Sequence, residues 1–396
     1  MKVLVANLGS TSFKYRLFDM SCEAELARGG VERIGDTQSH CFVESGDKRI
    51  EDRVPVEDHS VAVRQCLTQL VDPEIGCISE AREVAAIGFK AVHGGSLSGV
   101  QRITGEVLDE MSRMNQVAPA HNPPYISAMR QLAERLPEIP LVAAFETGFH
   151  STISRGWRNY AIPSAWSEEL NVRRWGFHGA SHRYISQRVA ELTDSGSTKV
   201  ISCHLGGSSS LAAIHSGKSV ATTMGMSPQS GLPHNNRVGD FDPFALPLIM
   251  EATGKTLDEV LDHLANKSGL LGLSGISGDI RDLHAKAAEG HDGAKYALEV
   301  FVADVRRGIG AMMMALGGVD VIAFTGGIGE NDDVIRREVC RNLDQLGIQL
   351  CENANLDGDI ERRIDADSSQ VQLWIVPTNE EIIVARQTVS CVTEGS

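Results

Sequence analysis

Residues 2–19 read KVLVANLGSTSFKYRLFD, and residues 198–217 read TKVISCHLGGSSSLAAIHSG. Each holds a short apolar, β-branched run, a turn rich in Gly and Ser, and a second apolar run, which is the sequence form of a β-hairpin. The predicted strands are 3–6 and 13–18 around the first turn, and 200–203 and 211–215 around the second. Their recurrence half a chain apart is an internal repeat of supersecondary structure, not the short period of a solenoid. A third apolar run, 319–324, leads directly into TGGIGEN, and a fourth, 373–376, into PTNEE. Strands that end in such turns and pass into helical sequence are where α/β proteins place ligands. Helical periodicity appears at 61–70, 124–136, 182–192 and 294–315. The pattern predicts two α/β halves about a cleft, with a boundary near 149–155.

The 396 residues are 42% hydrophobic and 22% charged, enough apolar material for a large buried core. With 37 basic and 52 acidic residues the formal net charge is −15. That balance disfavours binding to nucleic acid or to an anionic membrane, so an anionic substrate needs a local cluster of cations. The start shows no signal-peptide pattern and no run approaches membrane-spanning length. The eight cysteines show neither CxxC nor zinc spacing and read as reduced thiols, which predicts a cytoplasmic protein.

Three glycine turns present backbone N–H groups suited to phosphate oxygens. None has the Walker A spacing, and GGIGEN does not supply GxGxxG. Strand alternation puts Asn7, Ser10, Ser12 and Lys14 where they can line one anion site or a solvated edge. In RRWGFHGASHRYIS, His178 and His182 stand at i, i+4, a spacing able to hold a metal, but the Glu of HExxH is missing. His178 also neighbours Arg173 and Arg174, a setting suited to an anion. The histidines of AVHGG (91–95) and APAHNPP (118–124) read as turn residues. The polar loop 226–243, MSPQSGLPHNNRVGDFDP, carries Arg237, and its length suggests a functional role.

Taken in order, VANLGSTSFKYRLFD, AVHGG, VAPAHNPP, AFETGFH, WGFHGASHRY, CHLGGSSS, SGLLGLSGISGDIRD, FTGGIGEN and PTNEE resemble the acetate kinase family of the actin-like superfamily, over nearly the whole chain. The resemblance implies a duplicated ribonuclease-H-like α/β fold in two domains, 1–149 and 150–396, with a C-terminal helix at about 380–396 packing back on the first. It implies reversible phosphoryl transfer from ATP to acetate, giving acetyl phosphate and ADP, with Mg²⁺ (or Mn²⁺) as cofactor and a homodimer as the assembly. Alternatives are a kinase for propionate, butyrate or a hydroxy acid, or a nucleotide-binding actin-like protein without catalysis. The phosphoryl donor is left open between ATP, another nucleotide and pyrophosphate.

By the same resemblance, Glu146, His178, Arg237 and His121 are the catalytic candidates. Lys90, Val92, Phe177 and Pro228 take the acid. Ser10, Ser12, Lys14, His204, Leu205, Gly206, Gly207, Ser208, Asp279, Ile280, Arg281, Gly327, Ile328, Gly329, Glu330 and Asn331 take the nucleotide, and Asn7 and Glu380 place the metal. Four positions depart from the family pattern. Glu146 stands for Asp in FDTAFH, and Lys90 replaces an Arg, exchanging a two-pronged carboxylate clamp for a point charge. His234, Asn235 and Asn236 replace Met-Gly-Thr before the loop arginine. Gly207 replaces the Asn of HLGNG, which removes one side-chain contact to phosphate.

Overall fold

The computed structural model describes residues 1–9, 11–119 and 121–394; Ser10 lies outside them. The first quoted stretch forms β1 (Lys2–Leu8) and β2 (Ser12–Asp19), an antiparallel hairpin that pairs Asn7 with Lys14. Strands β3 (Ala24–Glu32), β4 (Ser39–Ser45) and β5 (Lys48–Val54) extend it as a meander. On the other side β6 (Val84–Ala91) joins β1 in parallel. Beyond it lie β7 (Val100–Arg102) and β8 (Leu141–Phe145), in the order β5-β4-β3-β2-β1-β6-β8-β7.

The second stretch repeats the plan. Strands β9 (Lys199–His204), β10 (Ser210–His215) and β11 (Lys218–Thr222) form the antiparallel part. Strand β12 (Val321–Thr325) then pairs in parallel with β9, followed by β14 (Gln372–Ile375) and the short β13 (Arg362–Arg363). The core order β3-β2-β1-β6-β8 thus recurs as β11-β10-β9-β12-β14. This is the duplicated α/β fold that the repeated hairpin predicts.

Contacts divide the chain into one unit of Met1–Ser151 with Asn379–Ser396 and a second of Thr152–Thr378. The second unit therefore ends short of the 150–396 assignment, because the helix Glu380–Glu394 packs on β6, β1, β7 and β8. Strand alternation explains how. Leu4, Ala6, Phe13, Tyr15, Ile87 and Phe89 face one way, into a core shared with the helices His59–Leu70 and Asn122–Arg135. Gly88 and Lys90 face the other way, and there the last helix lies.

In the second unit, Ile201, Cys203, Leu211, Phe324 and Leu373 pack against the long helix Asp292–Leu316. The alternate residues of β9 and β10 face the helix Gly179–Leu192, which is why Ser202 and Ser210 meet its side chains. Among the described residues, no helix is long and apolar enough to cross a membrane.

Candidate active site

In the first unit the site residues gather at the ends of parallel strands. Lys90, near the end of β6, donates to Glu380 Oε2 at 2.6 Å, at the start of the last helix. Burial alone would lower the ammonium pKa, but the carboxylates of Glu380 and Glu146 outweigh it and hold Lys90 charged well above its ordinary range. Glu146 is buried immediately after β8, beside β6. Asn7 Oδ1, near the end of β1, accepts a hydrogen bond from the Tyr125 hydroxyl at 3.0 Å, and that hydroxyl oxygen in turn accepts from the Leu8 N–H at 3.1 Å. Tyr125, which sequence reading missed, therefore fixes the end of β1. Lys14 is exposed opposite Asn7, and Ser12 begins β2.

His121 immediately precedes the helix Asn122–Arg135, whose first turn carries Pro123 and Pro124. Asn122 donates to the carbonyls of His93 and Met111, tying that helix start to the AVHGG turn. His93 is buried and its Nδ1 accepts from the Gly95 N–H at 3.1 Å, so it holds the turn together. Val92 follows β6 and is half-buried.

Oxygen donors supplied by one or two carboxylates, with the rest left to water and substrate phosphates, suit Mg²⁺. Glu380 and Glu146 supply carboxylates and Asn7 an amide oxygen, the donor types that such a site could draw on, and the Lys90 ammonium lies beside both carboxylates. Among the described residues no group of three His, Cys, Asp or Glu side chains is arranged as an all-protein metal cage.

In the second unit, His178 precedes the helix Gly179–Leu192 with φ = 55°, the left-handed region that costs a non-glycine residue about 1–3 kcal/mol. Its ring stacks on His204 at 4.3 Å, and Nδ1 lies 2.7 Å from Ser210 Oγ. The same hydroxyl lies 2.8 Å from Nε2 of His182, whose Nδ1 is 2.9 Å from Ser202 Oγ. One hydroxyl hydrogen cannot serve two rings, so Ser210 donates to one and accepts from the other. Two relays satisfy these distances: Ser202 O–H to His182 Nδ1, His182 Nε2–H to Ser210 and Ser210 O–H to His178 Nδ1, or the same chain reversed. In the first, His178 carries its proton on Nε2, free to donate away from the relay. His182 is fully buried with both ring nitrogens bound to serines, so the i, i+4 metal reading is corrected. Helical spacing could not reveal those serines, because they lie on strands.

His204 ends β9 opposite Thr325 of β12, so two glycine turns emerge side by side. The N–H groups of Ile328 and Gly329 both donate to the Leu205 carbonyl. The Glu330 carboxylate accepts from the N–H groups of Gly326 and Thr378, so its side chain braces the turn, and Asn331 donates to the Gly327 carbonyl. Arg336, unmarked by any sequence motif, is buried behind this turn, donating to the Gly329 carbonyl and to Asn355. Asp279 and Arg281 pair with each other, the carboxyl held down at about 2 by the guanidinium, and Ile280 is buried beside them.

Arg237 donates to Ser208 Oγ at 3.3 Å and to the Pro228 carbonyl at 3.2 Å, and burial lowers its pKa. Its guanidinium thus sits between the first glycine turn and the loop of Pro228. His234 is fully buried; its Nδ1 accepts the Ser209 N–H at 2.9 Å, and burial with the nearby Arg237 charge depresses it to about 3, keeping it neutral. Phe177 is buried just before His178, and Pro228 is also buried.

A doubled ribonuclease-H-like plan, with glycine turns at parallel strand ends beside a histidine and an arginine, defines a phosphotransferase. The family profile described as the Acetokinase family matches residues 2–386. The chain belongs to that family, whose members transfer phosphoryl groups to a carboxyl acceptor. It is 42% identical to acetate kinase of Carboxydothermus hydrogenoformans over 99% of each chain. The crystal structure of Porphyromonas gingivalis acetate kinase superposes with a TM-score of 0.89 at 36% identity, covering 99% of both chains. A propionate kinase structure from Francisella tularensis gives 0.90 at 31% identity, covering 98% of this chain and 99% of that one.

Proposed function

We propose that this protein is a Mg²⁺-dependent acetate kinase that moves the terminal phosphoryl group of ATP to acetate in one in-line step. An acetate oxygen bonds to phosphorus as the bond to the ADP oxygen breaks, giving acetyl phosphate and ADP. Because the acceptor is already a carboxylate, no proton need be removed, and His178 and Arg237 act as fixed donors to charge developing on the phosphoryl oxygens. The observation that carries the reading is the second unit's cluster of His178, His204, Ser208 and Arg237 at the two glycine turns. Asn7, Glu380 and Glu146 would hold Mg²⁺, which supplies charge neutralisation for the nucleotide phosphates when bound.

Phe177 and Pro228, both buried in the second unit, are the apolar residues assigned to the methyl group of acetate, and the family resemblance gives Val92 of the first unit the same role. A purified sample incubated with ATP, Mg²⁺ and acetate should yield an acyl phosphate that hydroxylamine traps; no trapped product with any short-chain acid would refute the reading. Propionate is the second acceptor to test. The reasons are Lys90, a point charge committed to Glu380 instead of an arginine fork, and the likeness to a propionate kinase.

A homodimer through the second unit accords with its exposed apolar side chains Trp166, Leu170, Phe244 and Leu248. A cytoplasmic location accords with the eight free cysteines. The net charge of −15 supports small-molecule substrates over nucleic acid or membrane partners.

A further inference from the structure

We infer that the Asn235 carboxamide is a nucleotide-binding group, donating from Nδ2 to a phosphate oxygen held at the turn of residues 206–208. The inference rests on the phosphoryl-transfer reading above for the identity of the anion.

The backbone of Asn235 is held by three segments. Its N–H donates to the Gly207 carbonyl at 3.1 Å, and its carbonyl accepts from the Leu271 N–H at 2.8 Å. A β-carbon on Gly278, directly before Asp279, would collide with that carbonyl. Asn235 therefore touches the first glycine turn and the approach to the Asp279–Arg281 segment at once.

The orientation of the amide follows from its own hydrogen bond. Oδ1 accepts the Asn236 N–H at 2.9 Å, so the opposite end of the amide is the NH₂ group. Nδ2 stands 3.5 Å from the point a β-carbon on Gly207 would occupy. No protein acceptor takes its hydrogens among the described residues, and the residue is half-exposed. A rigidly aimed donor without a protein acceptor is completed by water or ligand.

It faces a place suited to an anion. A β-carbon on Gly206 would lie 3.8 Å from the Gly327 N, so both glycine turns meet there, and Arg237 reaches Ser208 in the same turn. Residues 207 and 235 face each other across the two loops, so a carboxamide placed at 207 would reach the same anion.

The test is titration calorimetry with ATP and ADP, together with the KM for ATP and for acetate, on the wild type, Asn235→Gly, Asn235→Asp, Gly207→Asn and the double variant Gly207→Asn/Asn235→Gly. Losing one hydrogen bond to a charged group should weaken ATP roughly tenfold in Asn235→Gly. The KM for acetate and Tm should stay near wild type. Asn235→Asp should lose more, because it sets a carboxylate against phosphate. The double variant should recover most of the affinity. Unchanged ATP binding in Asn235→Gly overturns the inference, as does a parallel loss of ATP affinity, acetate affinity and Tm. Were the wild type to phosphorylate no acid while Asn235→Gly still weakened ATP, the function proposed above would fall and this inference would stand.

Discussion

The hydroxyl of Thr388 lies where a β-carbon on Gly88 would stand, so the last helix seats on β6 only because residue 88 has no side chain. Thr388 is fully buried and its hydroxyl donates to the Val384 carbonyl, leaving it little freedom to yield. Gly88→Ala should lower stability by about 1–3 kcal/mol, the usual cost of overpacking. Gly88→Ala/Thr388→Ala should recover much of it. Thermal melts of the three proteins check this, and an unshifted Tm in Gly88→Ala would show that the helix does not seat there.

Ser210 shares one hydroxyl between His178 and His182, and the relay in which it donates to His178 Nδ1 puts the His178 proton on Nε2. Ser210→Ala should lower kcat by roughly tenfold or more while the KM for ATP changes little, since the imidazole remains but its proton is no longer directed to Nε2. His178→Ala, which removes the donor itself, should cost about 10²–10³ in kcat. Equal losses in kcat and nucleotide affinity would contradict this division of roles.

His234 ties stability to pH. Its imidazole titrates at about 3 in the folded chain against an ordinary 6.5, so below 6.5 the unfolded chain binds the extra proton. Stability from this residue is therefore complete above pH 6.5 and drains away as pH falls toward 3, by at most about 5 kcal/mol. Urea unfolding at stepped pH should show that acid limb flattened in His234→Met, which cannot take up a proton.

Arg336 spends its guanidinium on the Gly329 carbonyl and on Asn355. Arg336→Met should leave the Gly329 carbonyl and Asn355 Oδ1 without this donor, at about 1–3 kcal/mol each, while the Asn355 carbonyl keeps Arg362. Because the second glycine turn loses its brace, the KM for ATP should rise more than the KM for acetate. Steady-state kinetics alongside denaturation would separate the two effects.

Lys90→Arg restores a planar fork where this chain has a point charge. The KM for acetate should fall several-fold with kcat/KM for ATP nearly unchanged. A rise in the acetate KM would indicate that Glu380 holds the longer side chain away from the acid.

The fold was legible in the repeated hairpin because strand, glycine turn and strand are local patterns, and the same core strand order recurs in both sheets. The parallel partners β6 and β8 were less so, since β6 pairs with β1 and β8 with β6 across long stretches of sequence. Arginine 237 could be singled out by its long polar loop. Its contacts with Ser208 and Pro228 could not, and neither could the serines that bind His182, because they come from a different sheet segment. Arg336 left no mark at all: a buried arginine reads like a surface one until its acceptors are seen.

The helix that completes the first unit is made only after the whole of the second. It leaves the ribosome only after every residue of Thr152–Thr378 has, and at roughly 5–20 residues per second that interval is on the order of ten seconds or more. Throughout that time the sheet face of Gly88 is bare and Lys90 lacks Glu380 as its counter-charge. The nascent chain therefore carries an uncovered face on β6 while the second unit is still being translated, and a chaperone acting during synthesis would find a substrate there.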